Sequence, residues 1–536
     1  MYKNDAKRYP YPSRRELVFG REAIAASGNP YASQVGLDIL RAGGNAVDAA
    51  LAMAMVHVVV EPTNNGLGSD AFVLLSMDGE VYGLNASGPA PKALTSQVFW
   101  DRGYKAIPQE GPLVSVVPGA VGGWMALYDR FASWDLEDLA QPAINLAREG
   151  YALSPAVAWE WAKACDRFKK YQGQAAYQGF FDNFTQKGRP PQAGDRVRLP
   201  QVARSLEAIA KTRGQAFYQG QMAQDLVAFL KKEGGLMSLE DLASYQPQWV
   251  QPRSSSFRGL EVWELPPNGH GVTVLMALEI FKALEEGAKT PEERTHLAIE
   301  ALKLAYVDVK AYVAEPSRMD PGLDQLLDPA YLAHRASLIG DKALDPQVGR
   351  PQDSSTVYFN CGDREGNMVS FIQSNYNGFG SGLVLPGWGL SLNNRVNNFY
   401  LEPGLPNSLV GGTRPYHTII PGFLTKEGDP YGAFGVMGAF MQPQGQFQVL
   451  LRLLDQGLNP QSALDAPRWQ WLGDREVSYE ENYEPDIIGG LSKRGHQVHV
   501  EEDMASMGRG QVILKNPQGG YLGGTEPRTD GTILGW

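Results

Sequence analysis

The sequence predicts an α+β protein in which two sheets are sandwiched between layers of helices. Three observations lead there. Two helix patterns near the start run into a hairpin pattern, the stretch from Leu136 to about Ala343 reads as mostly helical, and from Thr356 onward hairpin signals recur. With 536 residues, 43% of them hydrophobic and 20% charged, the chain has ample core for one or two domains. No internal repeat of fixed period is present.

Taken in order, Asn29-Pro30 followed by Tyr31 to Arg41 predicts a helix. It has a capping Asn, Pro in the first turn, apolar Val35, Leu37, Ile39 and Leu40, and Gly43-Gly44 as a stop. A second helix restarts at Asn45-Ala-Val-Asp48 and runs through Met55; its small residues on every side suit a helix buried between layers. Gly66-Leu-Gly68 mimics a dinucleotide fingerprint, but strand-like Ala71 to Ser76, Asp78-Gly79 and Glu80 to Leu84 follow, which is a hairpin where that fingerprint needs a helix. Asn85 to Ala93 reads as turns, and Val116 to Trp124 as a tight turn entering a helix. In the helical middle, Ser238 to Leu242 is a capped helix start and Arg294 to Ala314 a long helix. Glu264-Leu-Pro-Pro-Asn-Gly-His-Gly271 interrupts these helices as a strand end and glycine loop, with His270 a loop residue. The hairpin turns of the last part are Asp363 to Gly366, Lys426 to Asp429 and Asn516 to Gly520. One helix is expected between them at Gln446 to Gln456, and another at Pro460 to Ala466.

Net charge is −11, and no Lys/Arg block or basic stripe occurs, which argues against nucleic acid as a partner. Two cysteines, Cys165 and Cys361, support neither a disulfide framework nor a Cys-based zinc site. The first ten residues lack the apolar core of a signal peptide, and the apolar run Ala49 to Val60 falls short of the roughly 20 residues a bilayer span needs. The expectation is a cytoplasmic protein without membrane contact, cofactor or metal.

Chemistry concentrates at Asp353-Ser-Ser-Thr-Val-Tyr-Phe-Asn-Cys361. Thr356 opens a strand after a small polar run, and Met368 to Gln373 is the return strand. If the bond Ser355–Thr356 were cut, Thr356 would carry both a hydroxyl nucleophile and its own α-amine. A hydroxyl needs a base, and an α-amine with a pKa of about 7.7–8 can serve near neutrality. On its own Thr356 reads better as an ordinary strand threonine, a common residue in strands.

Several stretches in series resemble the γ-glutamyltransferase family of N-terminal nucleophile hydrolases. They are Gly43-Gly-Asn-Ala-Val-Asp-Ala-Ala50, Val117-Pro-Gly-Ala-Val-Gly-Gly123, Pro266-Pro-Asn-Gly-His-Gly271, the Thr356 hairpin, Phe379-Gly-Ser-Gly382, Leu392-Asn-Asn394 and Gly524-Thr-Glu-Pro-Arg-Thr-Asp-Gly531. The resemblance runs from about residue 20 to the end. It implies an αββα four-layer sandwich made as a proenzyme, with residues 1–355 and 356–536 as large and small subunits of one composite domain. It implies that Thr356 attacks first the Ser355 carbonyl and later a small-molecule amide or γ-glutamyl substrate, passing the acyl group to water or an amino acid. It places Ser374 beside the nucleophile, and Gly438 and Ala439 where two backbone N–H groups form an oxyanion hole. A homodimer is compatible with this reading.

The departures from the family pattern concern the donor. Where glutamate-specific members keep an Arg for the α-carboxylate, this chain has Ala86; where they keep an Asp for the α-amine, it has Asn398. Tyr376 replaces an Asn, and His417-Thr418 replaces a Ser pair. Arg395 and Arg414 are the candidate replacement cations, since an arginine fork suits a carboxylate and Ala cannot substitute for it. The resemblance therefore leaves two enzymatic readings, a γ-glutamyl enzyme and a hydrolase of another small acyl amide. An unprocessed binding protein remains as a non-enzymatic alternative. A serine hydrolase is disfavoured by the absence of Gly-x-Ser-x-Gly. A metallohydrolase is disfavoured because His496 and His499 sit three apart in a strand-like segment, facing opposite sides.

Overall fold

The computed structural model describes residues 15–346 and 355–536. The N-terminal stretch read for a signal peptide, and Asp353-Ser354 of the polar run before Thr356, lie outside the described residues.

Two seven-stranded sheets dominate, and every strand pair in them is antiparallel. The first has the order Thr532–Gly535, Ile24–Ser27, Ser355–Gly362, Met368–Tyr376, Asp70–Met77, Glu80–Ala86, Gln248–Val250. The second has the order Val18–Gly20, Tyr521–Thr525, Arg509–Lys515, Asp429–Met437, Gly422–Lys426, Leu260–Glu264, Arg253–Phe257. Their facing sides meet in an apolar layer that includes Ile24, Phe72, Tyr358, Ile372, Phe423 and Ile513. Helices cover both outer faces through two larger apolar clusters, giving the helix–sheet–sheet–helix sandwich the resemblance implied. Both sheets contain strands from before and from after residue 355, so neither sheet belongs to one half of the chain.

The helix Ala46–Val60 shows how the sequence specifies the inner helical layer. It is apolar all round and every residue in it is buried. Its start is fixed by a reciprocal cap in which the Asn45 side chain accepts from the Val47 and Asp48 N–H groups, while Asp48 accepts from the Asn45 N–H. The capped start expected at Ser238 forms in the same way with Asp241.

Two expectations are corrected. The mostly helical reading of Leu136 to Ala343 misses the strands Gln248–Val250, Arg253–Phe257 and Leu260–Glu264, of which only the end at Glu264 was anticipated. Their signal was a two-residue hairpin. Arg258 and Gly259 both take positive φ (52° and 78°), the geometry that matches the twist of adjacent strands. The helix expected at Gln446 to Gln456 instead spans Met441–Leu450 and ends in a π-helical turn, Leu451–Asp455. Pro443 sits in its first turn, where a proline removes no intrahelical bond.

Candidate active site

Thr356 lies near the beginning of the strand Ser355–Gly362, in the middle of the first sheet, and is fully buried. Opposite it the ladder slips. Ser355 pairs with Tyr376 but Val357 pairs with Gln373, so the return strand carries one extra residue at Ser374-Asn375. Such a bulge re-aims side chains, and here it accompanies contact between Ser374 and Thr356. Thr356 Oγ1 donates to Ser374 Oγ at 3.2 Å, and the same Ser374 oxygen accepts the Tyr376 N–H at 2.8 Å. A second side chain, not anticipated from the sequence, reaches the Thr356 hydroxyl: Gln442 Nε2 donates to Thr356 Oγ1 at 3.4 Å.

Gly438 and Ala439 form the turn between the strand Asp429–Met437 and the helix Met441–Leu450. Gly438 has φ +135° and Ala439 φ +51°, so Ala439 occupies the left-handed region, which costs a non-glycine residue roughly 1–2 kcal/mol. Among the described residues, neither N–H group donates to a backbone carbonyl. Both residues line a cavity of about 570 Å³, together with Asn377, Phe440, Trp159 and Arg167. The cations on that cavity wall are paired with acids: Arg167 with Glu110 at 3.5 Å, Lys163 with Asp503 at 3.3 Å, and Arg509 with Glu160.

Three more of the sequence-derived residues, Arg395, His417 and Thr418, gather in a second cluster joined to the first by Tyr376. The Tyr376 ring lies 5.0 Å from the Arg395 guanidinium carbon. Arg395 is fully buried and donates from Nη1 to Thr418 Oγ1 at 2.8 Å, while its Nε and Nη2 have no hydrogen-bond partner among the described residues. Burial pushes its pKa down to about 10, although the field of Asp70 acts the other way. His417 is held neutral by burial, with Arg395 adding to the effect. It donates from Nε2 to Asp70 Oδ2 at 3.0 Å, and its Nδ1 accepts the Ile419 N–H at 3.4 Å, which fixes the tautomer. Burial raises the Asp70 carboxyl to about 7, against the pull of Arg395 and of the Gly88 N–H that it accepts at 3.0 Å. Asp70 opens the strand Asp70–Met77 and was not singled out from the sequence.

The other expected positions fall outside this cluster's contacts. Asn398 ends the short turn Arg395–Asn398, and its Nδ2 has no partner. Arg414 is committed to the Ser87 and Gln246 carbonyls and lies 3.8 Å from Glu315, so it packs loops together. Ala86 is fully buried, and a Cβ added at Gly123 would stand 2.7 Å from its methyl group, so an arginine has no room there. His270 is a buried loop residue bonded through Nδ1 to the Tyr416 hydroxyl at 2.9 Å.

Among the described residues, His296, Glu300 and His496 bring three possible metal-ligand atoms within 4.8 Å of one another. The sequence had weighed His496 only with His499, which is exposed in the strand Gln497–Glu501. Its members already have partners: His296 Nδ1 and His496 Nε2 bond each other at 2.9 Å, His296 Nε2 meets the Gly340 carbonyl at 2.8 Å, and the Lys303 ammonium donates to Glu300 at 2.8 Å. A buried ammonium at that distance opposes a divalent cation.

No helix among the described residues is long and apolar enough to cross a membrane. Residues 32–536 match the family model described as gamma-glutamyltranspeptidase. The chain is 35% identical to the glutathione hydrolase-like YwrD proenzyme of Bacillus subtilis, over 97% of this chain and 99% of that protein. It is 31% identical to the oxamate amidohydrolase proenzyme of Klebsiella pneumoniae, over 96% and 98%. Among solved structures it resembles cephalosporin acylase from Bacillus halodurans, with 48% identity, a TM-score of 0.96, and 100% and 99% of the two chains covered.

Proposed function

From the premise that the chain belongs to the gamma-glutamyltranspeptidase family and is a hydrolase/transferase enzyme acting on amides, we propose that it matures by cutting itself between Ser355 and Thr356. The observation that carries this reading is the Thr356 hydroxyl, buried at a strand start and bonded to Ser374 across a bulge.

In the uncut chain Oγ1 gives up its proton through Ser374 and bonds to the Ser355 carbonyl carbon. The C–N bond breaks, the Thr356 nitrogen takes a proton, and an ester remains. Water opens the ester, leaving a Ser355 carboxylate and a Thr356 with free hydroxyl and free α-amine. Residues 1–355 and 356–536 then stay together, since both sheets interleave strands from either side of the cut.

The α-amine now accepts the hydroxyl proton as Oγ1 attacks an amide carbonyl. The tetrahedral oxyanion is held by the Gly438 and Ala439 N–H groups, each such donor being worth about 10²–10³ in rate. The α-ammonium protonates the departing amine, and the acyl group passes to water or to a second amine. The test is a denaturing gel with N-terminal sequencing of the smaller fragment. It should begin at Thr356, and Thr356→Ala should abolish cutting and turnover together; a fragment starting elsewhere, or an active Thr356→Ala enzyme, overturns the reading.

The first reading of the donor is a γ-glutamyl amide. A second is favoured by one observation, the buried Arg395 with two N–H groups unpartnered among the described residues, in a chain whose buried Ala86 leaves no room for an arginine. That arrangement suits a smaller donor whose carboxylate lies near the scissile carbonyl, and one relative is named for oxamate, an amide of that kind. Rates on glutathione, γ-glutamyl-p-nitroanilide, oxamate and simple acyl amides decide between the two. Rapid, saturable turnover of glutathione eliminates the second.

A further inference from the structure

The helix Met441–Leu450 is buried along its whole length although four of its ten residues are glutamines. Residues four apart share a helix face, so Gln442 and Gln446 form one pair and Gln444 and Gln448 another. The second pair serves the strand Trp469–Gly473. Gln444 accepts the Trp471 N–H at 2.8 Å and donates to the Trp471 carbonyl at 3.1 Å, and Gln448 does the same for Trp469 at 3.0 and 2.8 Å. The first pair holds Ile420, two residues past Thr418. Gln442 Oε1 accepts the Ile420 N–H at 3.0 Å, and Gln446 Nε2 donates to the Ile420 carbonyl at 2.9 Å.

One amide differs from its partners. Gln444, Gln446 and Gln448 donate only to backbone carbonyls, whereas Gln442 donates to Thr356 Oγ1. Its orientation is fixed, because only the amide oxygen can accept from Ile420 and the NH₂ group is thereby turned to the nucleophile. We propose that Gln442 is a catalytic residue: its amide N–H stabilises negative charge on Thr356 Oγ1 as that oxygen loses its proton. The proposal rests on Thr356 being the nucleophile. In the step itself the Oγ1 proton passes through Ser374, which hands its own proton on to the departing Thr356 nitrogen, in the precursor, or to the α-amine in the mature enzyme. An Oγ1 electron pair forms the bond to the carbonyl carbon, the carbonyl π pair moves onto its own oxygen, and Gln442 keeps both of its protons. A contact of 3.4 Å is long for a neutral pair and shortens as charge builds on the acceptor.

The test uses self-cutting of the full chain, which needs no added substrate, followed on a denaturing gel at several pH values, with thermal melting as the check on folding. Gln442→Glu keeps an oxygen for Ile420 and replaces the donor with an acceptor. It should slow cutting at pH 8 by at least about tenfold and recover part of the rate near pH 5, where a protonated carboxyl can donate. Wild type should show no such recovery. Gln442→Met, which removes the donor without adding charge, should be slow at every pH and serves if the Glu variant does not fold. Gln446→Leu loosens Ile420 from its other side and should change the rate less than threefold. A Gln442→Glu chain that cuts at the wild-type rate overturns the proposal. So does Gln446→Leu slowing as much as Gln442→Glu, since Gln442 would then act only by holding Ile420. If wild type itself does not cut, or Thr356→Ala stays active, it is the assignment of Thr356 that fails.

Discussion

The nucleophile and the cluster around Arg395 meet at Tyr376, whose N–H faces one and whose ring faces the other, yet they are built by different means. Around Thr356 the geometry comes from backbone: a strand start, a bulge, and a turn that takes two residues through positive φ. Around Arg395 it comes from side chains drawn from four separated segments, namely Asp70, Tyr376, Arg395 and His417-Thr418. Backbone geometry tolerates change of side chain as long as the fold persists, which is how Ala439 can hold a positive φ that glycine takes more easily. A side-chain cluster changes its chemistry with each substitution. Within one fold, reaction type is therefore the stable property and donor preference the adjustable one.

Ser374→Ala probes the first region hardest after Thr356 itself. It removes the hydroxyl that accepts from both Thr356 and the Tyr376 N–H, and should slow self-cutting about a hundredfold while the sheet remains folded. The assay is the gel time course beside a melting curve. A rate within threefold of wild type would mean that the backbone alone orients the nucleophile, which sharpens the contrast further.

Arg395→Gln probes the second region. Loss of a charged donor pair should cost between about tenfold and a hundredfold in kcat/KM on carboxylate-bearing amides, and little on uncharged ones. Steady-state kinetics on one donor of each kind makes the comparison internal, since damage to the nucleophile would depress both. Equal loss on both donors breaks the division into two regions.

The sequence makes the first region legible because its signals are local. The hairpin at Thr356 is announced by β-branched residues, by the turn, and by Asp363, whose side chain accepts the Glu365 and Asn367 N–H groups. The order of helices and hairpins is equally local, and so is the long helix, which forms at Pro291–Tyr312. The strands Arg253–Phe257 and Leu260–Glu264 are short and lie between helices, so periodicity gave them no weight against their surroundings. The glutamine helix was misplaced because buried glutamines contradict the polar-out pattern, and the carbonyls and N–H groups that satisfy them lie 21 to 27 residues away for six of the contacts. Arg395 could be named as a candidate cation, but the partner that sets its field, Asp70, is more than three hundred residues distant in sequence.

Two buried acids give the finest comparison, by stability rather than rate. Both oxygens of Asp70 accept hydrogen bonds, from the Gly88 N–H and from His417. Asparagine can satisfy only one of those donors and must oppose the other with its own NH₂, so Asp70→Asn should lower stability by about 1–3 kcal/mol. Glu264 has neither oxygen partnered among the described residues, and burial alone raises its pKa well above the usual carboxylate range. Because the folded chain binds that proton more tightly than the unfolded chain, the stability it contributes is complete below the unfolded value of about 4.3. It is lost as pH rises toward the folded value, by at most about 1.4 kcal/mol per pH unit. Glu264→Gln removes that titration. Its melting temperature relative to wild type should therefore climb steadily between pH 5 and pH 8, and a pH-independent difference would mean that Glu264 has a partner in solution.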